Sequence, residues 1–221
     1  MSSYRNVVFA AVSPFLFALL AIAADGSMLK PQKGSPVTIH VFEDLECPSC
    51  AHAYPIIWDV AKSHHVPVVL HDFPLRMHPW AKPAAVWGRY FDVVDPKRPT
   101  LGNDFRRYIY ANQPQIDANN LLQYVQKFAD DNKVAVPFAP DSQGKLQQKI
   151  DADVALGTQA HLEHTPTIFV VTGGGAAPAY QEISDLDKLT QIVEDAQKKA
   201  TPESTPAKKH VTKHVAKSKV S

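Results

Sequence analysis

The chain has 221 residues, a formal net charge of +1 and an apolar fraction of 45%. That is long enough for one sizeable domain with its own core, and the composition is ordinary for a globular protein. The charge is unevenly spread: residues 24–200 carry 17 basic and 21 acidic side chains, while the tail from Thr201 carries five Lys against one Glu. A mildly acidic body argues against nucleic acid as the main partner.

At the N-terminus, Arg5 precedes an almost wholly apolar run, Val7 to Ala23, that ends in Ala21-Ile22-Ala23. A basic start, an apolar stretch and an A-x-A site predict a signal peptide over 1–23, with a mature chain from Ala24. The competing reading is an uncleaved membrane anchor, since the run nearly reaches spanning length. Either way the remainder is exported, periplasmic or otherwise extracytoplasmic, where disulfides form and persist.

Residues 24–35 form a lead-in segment. Pro36 to Phe42 reads as a buried strand. Two cysteines, the only ones in the chain, follow as Cys47-Pro48-Ser49-Cys50. Pro48 to His64 reads as a helix with Ala53, Ile56, Ile57, Val60 and Ala61 on one face and a kink at Pro55. Cys47 is expected at the exposed helix N-terminus, where unpaired N–H groups and the dipole favour thiolate. Cys50 is expected one turn inside, buried, and able to attack a mixed disulfide formed at Cys47. Pro48 suits the first helical turn, where no N–H is needed. A zinc site would need more ligands than this pair and His52 supply, and a staple closing so short a loop would add little stability.

Val66 to Phe73 reads as a second strand ended by Pro74, completing a parallel βαβ unit. Residues 78–162 carry helical spacing without strand pattern. One helix is expected around Ala84 to Phe91, one over Asp104 to Ala111, one through Leu121 to Ala129 and one over Ser142 to Leu162, with a loop from Asn132 to Gly144. His164-Thr165-Pro166-Thr167 then leads into a strand ending at Val171. Gly173-Gly174-Gly175 breaks it, and Ala179 to Ile183 returns antiparallel. A last helix is expected with Ser184 as N-cap, Asp187 at the capping-box position, and Leu186, Leu189, Ile192, Val193 and Ala196 on one face. Residues 200–221 lack the apolar content to fold and read as a disordered basic tail.

The ordered combination of Phe42 to Cys50, Phe73-Pro74-Leu75 with His78-Pro79, and Thr165-Pro166-Thr167 resembles the thioredoxin superfamily, most closely its DsbA-like branch. The resemblance covers roughly Ser35 to Lys199. It implies an α/β thioredoxin fold: a central mixed sheet with flanking helices, split between 36–77 and 163–199 by an all-helical subdomain over 78–162. It also implies a cis peptide before Pro166 facing the cysteines, with Thr165 placed to contact substrate backbone or a sulfur. The activity implied is thiol–disulfide exchange through a redox-active Cys47–Cys50 disulfide, with no other cofactor and no metal. Disulfide donation is the leading reading, reductase or isomerase and non-catalytic binding module the alternatives. The implied partners are thiol-containing client proteins and a membrane quinone-linked reoxidising partner, for a monomer.

Two departures from that pattern stand out. Val41 occupies the position where many relatives carry a buried carboxylate, and His164 replaces a common Gly. Ser49 offers one hydroxyl in place of the His found in strong oxidants, and His164 is a candidate for stabilising the thiolate when protonated. Glu43, Asp44 and Glu46 read as solvated surface acids, and His78, Pro79, Trp80 and Trp87 as structural.

Overall fold

The computed structural model describes residues 24–173 and 179–200. The expected signal peptide, the glycine-rich break at 174–178 and the tail from 201 lie outside the described residues. Among the described residues, no helix is long and apolar enough to cross a membrane.

Four strands form one sheet in the order β2-β1-β3-β4, with β1 at Val37–Glu43, β2 at Val68–Asp72, β3 at Thr167–Thr172 and β4 at Ala179–Glu182. β1 runs parallel to β2, with Ile39 opposite Val68, and antiparallel to β3, with Val41 opposite Ile168. β4 closes the edge antiparallel to β3. The parallel pair is joined by α1, Pro48–His64, which is the expected βαβ unit.

All seven residues of β1 are buried, so the strand is covered on both faces. Alternation divides them. Val37, Ile39 and Val41 pack with Ala53, Ile57 and Val60 of α1 and with Leu189 and Val193 of α6, Leu189–Lys199. On the opposite face, Phe42 and Phe169 meet Leu29 of the lead-in and Leu156 of α5, Lys145–Gln159. The sequence grouped α5 with the insertion; it packs against β2 and serves as a layer of the sheet.

The other inserted helices are α2, Ala81–Val93, α3, Leu101–Asn112, and α4, Leu121–Asn132. They meet in an aromatic cluster in which the ring of Phe91 lies 4.7 Å from Phe105 and 5.0 Å from Phe128. This cluster is continuous with Leu45, Cys47, Cys50 and Tyr54, so the inserted helices and the cysteine turn share one core. α2 and α3 approach closely at Gly102, where a Cβ would fall 1.8 Å from Asp92 Oδ1.

One boundary differs from expectation. A 3-10 turn, Leu186–Lys188, precedes α6, and its cap is Asp185, whose carboxylate accepts from the Asp187 N–H at 3.1 Å. Ser184 is not the cap. Both residues are good capping types, and the turn brings the Asp185 carboxylate, one position later, onto the free N–H.

Candidate active site

β1 delivers the chain into the turn Asp44-Leu45-Glu46, and Cys47 caps α1 with extended dihedrals, φ −79° and ψ 119°. Its carbonyl accepts the N–H groups of Cys50 at 3.0 Å and Ala51 at 3.1 Å, starting the helix. Gln113, from the turn after α3, donates its Nε2 to the carbonyls of Leu45 at 2.8 Å and Cys47 at 3.1 Å. The inserted helical segment therefore holds the cysteine turn from the side. Nothing in the local pattern around Gln113 announced this role.

Both cysteines are free thiols. Cys47 was expected to be exposed, but it is buried, at 6% of its full accessibility. The Thr165-Pro166 peptide is cis, and the Thr165 carbonyl accepts the Cys47 Sγ–H at 3.2 Å. The wall opposite the helix end thus covers the sulfur. The Thr165 hydroxyl is buried without a hydrogen-bond partner, which leaves it free to donate to a Cys47 thiolate. Cys50 Sγ accepts the Asp44 N–H at 3.4 Å.

The two thiols are pushed apart in acidity. The Cys50 thiol, against burial and with help from the Thr165 side chain and the N–H groups of Cys50 and Ser49, holds Cys47 down to about 5. Burial, then the bond to and the charge of Cys47, drive Cys50 far above the ordinary thiol range. Such a pair has one sulfur that leaves and attacks readily and one that keeps its proton.

Pro48 and Ser49 are exposed at the helix start, and Ser49 acts through its backbone N–H. His164 is also exposed. Its carbonyl accepts the Thr167 hydroxyl at 2.8 Å, and its ring makes no hydrogen bond among the described residues. The imidazole expected to stabilise the thiolate makes no hydrogen bond to Cys47, and it stands solvent-exposed beside the buried Thr165.

The acids before Cys47 are the larger correction. Glu43 and Asp44 are buried, at 3% and 1%, and Glu46 is half-buried. Glu43 faces a small cavity shared with Val41, Cys50, Trp58 and Pro166. Its Oε2 accepts the Tyr110 hydroxyl at 3.1 Å. Its Oε1 stands 3.0 Å from Arg106 Nε, but without the alignment of a hydrogen bond. Burial raises Glu43 to about 7 in spite of Arg106, and Asp72 adds to the rise. A buried carboxyl beside Cys50 is therefore present, supplied by Glu43 where Val41 does not supply it. Asp44 and Glu46 are held by neighbouring donors: Asp44 Oδ2 accepts Leu75 N–H and meets His78 Nδ1, and Glu46 Oε2 accepts the N–H groups of Trp80 and Ala81 at the start of α2.

Arg106 is buried among Glu43, Asp72 and Asp92. A Cβ on Gly88 would lie 3.3 Å from its guanidinium. Arg89 joins Asp72 to Asp153, and Asp153 Oδ1 meets His71 Nδ1 at 2.9 Å. His71 Nε2 meets His40 Nδ1 at 3.0 Å, and His40 Nε2 reaches the Lys30 carbonyl at 2.9 Å. Among the described residues, no three His, Cys, Asp or Glu side chains gather as a metal-holding group.

A cysteine pair at the start of the helix after β1, faced by a cis-proline carbonyl from the start of β3, defines a thioredoxin-fold redox site. The family model described as Thioredoxin matches residues 25–195, and the chain belongs to that family. Its fold is DsbA-like. The crystal structure of Wolbachia pipientis α-DsbA1 matches with a TM-score of 0.62 at 15% identity, over 77% of this chain and 90% of that one. BdbD from Bacillus subtilis in its oxidised form matches with 0.57 at 18%, over 76% and 91%. The thiol-disulfide exchange protein α-DsbA2 of Wolbachia pipientis matches with 0.56 at 17%, over 75% and 84%. No curated protein matches the sequence.

Proposed function

We propose that the protein is an exported thiol–disulfide oxidoreductase that donates disulfides to folding client proteins through Cys47 and Cys50. The observation that carries this reading is the placement of the pair at the end of β1, with Cys47 Sγ 3.2 Å from the carbonyl before the cis-proline and Cys50 turned inward beside Glu43, an arrangement that favours an acidic Cys47 and a protonated Cys50. The fold likeness to a thiol-disulfide exchange protein supports it.

In the donating direction, a client thiolate attacks Cys47 Sγ of the Cys47–Cys50 disulfide. The S–S bond breaks with its electron pair on Cys50, which takes a proton; Glu43, protonated below about 7, is the buried group beside it. A second client thiolate then attacks the client sulfur of the mixed disulfide, and Cys47 leaves as thiolate. Two client thiols become one disulfide, and the enzyme gains two electrons, to be passed to a membrane quinone-linked partner. The Thr165 carbonyl, at the mouth of the pair, suits hydrogen bonding to an extended client segment. The apolar N-terminus supports export, and the protein acts as a monomer without nucleic acid.

The decisive test is Cys50→Ser in the exporting cell. Thiol-cleavable adducts between Cys47 and client proteins support the reading. Absence of adducts, together with failure of the native protein to oxidise a reduced unfolded protein, overturns it. A reductase or isomerase of the same fold is separated by equilibrium with glutathione: a potential near about −270 mV would remove the donor reading. A binding module would keep its function in Cys47→Ser.

A further inference from the structure

Asp44 connects the cysteine pair to a residue outside it. Its carbonyl accepts the Cys47 N–H at 3.0 Å, and its own N–H donates to Cys50 Sγ at 3.4 Å. Its carboxylate is buried. Oδ1 accepts the Glu46 N–H at 2.7 Å, while Oδ2 accepts the Leu75 N–H and His78 Nδ1, each at 2.7 Å. The side chain of Asp44 is fully covered, while that of His78 is 19% exposed and open to protons from water.

A buried carboxylate this close to Cys47 opposes a thiolate, because like charges disfavour each other's ionised forms. The cation of the Cys-x-x-Cys dipeptide is missing here, since Ser49 is neutral. His78 is the basic side chain bonded to Asp44, and it carries a positive charge when protonated. The charges acting on it are Asp44 and Glu46 from the turn after β1 and Cys47 from the start of α1. Arg76 of its own loop is exposed, and Lys82 of α2 is exposed and paired with Asp151. Burial works against the imidazolium, but the bond to Asp44 and the three negative groups outweigh it and raise His78 above its ordinary value.

We propose that His78 is a positioning residue for the redox pair: its proton, held on Asp44, stabilises the Cys47 thiolate, and formation of that thiolate in turn tightens the proton on His78. The inference rests on the oxidoreductase reading for its biological use, not for its physics. Coupling between two binding events is reciprocal, so each partner shifts the other by the same factor. Reduction by glutathione breaks the S–S bond and converts two glutathione thiols to their disulfide; of the two thiol protons one goes to Cys50 and the other is released to solvent, leaving Cys47 as thiolate. With His78 linked, reduction also draws a fractional proton from solvent onto its ring around the histidine range.

The test is an NMR titration of the His78 imidazole in the full chain, oxidised and reduced. We expect the reduced protein to hold the His78 proton about three- to tenfold more tightly, a midpoint roughly 0.5 to 1 pH unit higher. In reduced Cys47→Ser the midpoint should return to the oxidised value. His78→Asn keeps a donor for Asp44 and removes the charge. It should raise the Cys47 thiolate midpoint, read by ultraviolet absorbance, by the same factor and shift the glutathione equilibrium toward the disulfide form by up to that factor. A midpoint of His78 that is identical in both redox states overturns the proposal. So does a His78→Asn protein that loses thermal stability while its Cys47 midpoint stays put, since that is the behaviour of a purely structural residue. These readouts need no client: linked titrations without disulfide donation would reject the function and keep the coupling, and the reverse would do the opposite.

Discussion

Glu43 and Arg106 face each other in the protein interior, with Oε1 3.0 Å from Nε, yet the carboxyl is held near neutrality rather than ionised outright. Desolvation outweighs one cation because Arg106 is shared with Asp72 and Asp92. Glu43 is therefore poised to exchange a proton close to neutral pH, beside a thiol that must gain or lose one. In native protein, release of a Cys47 mixed disulfide by Cys50 should accelerate as pH rises through about 7, as Glu43 becomes a base. Glu43→Gln should lose that inflection and slow the step by about 10²-fold, the low end for a positioned acid–base group. Stopped-flow measurement across pH checks it. An unchanged profile would remove Glu43 from the proton path.

Arg106 answers a second question, that of stability. Arg106→Leu leaves Glu43, Asp72 and Asp92 without their shared cation, and breaking a buried charge network from one side costs about 3–5 kcal/mol. The sign with pH follows from the acids. Burial already raises Asp72 and Glu43 above their ordinary values in the folded chain. In the variant they rise further, so the folded state binds more protons than the unfolded one and its stability falls as pH rises. Urea unfolding should show the largest loss at alkaline pH and a partial recovery below the folded midpoints. A loss independent of pH would point to packing alone.

Much of this fold was legible from spacing. The helix after the cysteines, the second strand and the run of inserted helices stand where apolar periodicity placed them, because those patterns are long and repeat. Cys47, Cys50 and Pro166 were legible because their chemistry is tied to local order. Glu43 was not. A carboxylate next to a turn reads as solvated, and only the arrival of Arg106 and Tyr110, more than sixty positions away, makes its burial tolerable. Gln113 was hidden for the same reason, since an amide that binds two carbonyls has no pattern of its own. The exposure of His164 was not legible either, because burial in a turn depends on backbone geometry that sequence spacing does not carry.

Thr165 offers a test of how the thiolate is held. Its carbonyl serves the thiol form and its unpartnered hydroxyl is available to the thiolate. Thr165→Val keeps the shape and the carbonyl and removes the hydroxyl. One hydrogen bond to a sulfur anion corresponds to about 1 kcal/mol, so the Cys47 midpoint should rise by roughly 0.5 to 1 pH unit. Ultraviolet titration of the thiolate measures it directly. A midpoint that does not move would assign the low Cys47 value to Cys50 and the helix amides alone.

His40 sets an acid limit on folding. Its Nε2 donates to the Lys30 carbonyl, so Nδ1 must accept from His71 Nε2 in the neutral ring. A second proton on His40 would break that bond in a buried strand. Burial first, then the charge of His71, accordingly lower His40 to about 4 against the bond to Lys30. The folded value lies below the unfolded one, so the unfolded chain binds the extra proton first. The contribution of neutral His40 is complete above the ordinary histidine value and is lost as pH falls toward about 4. The span corresponds to about 3 kcal/mol. His40→Asn should lower stability at neutral pH but flatten the slope between those values. Chemical unfolding at a series of pH values reads both, and an unaltered slope in the variant would place the acid sensitivity on the carboxylates instead.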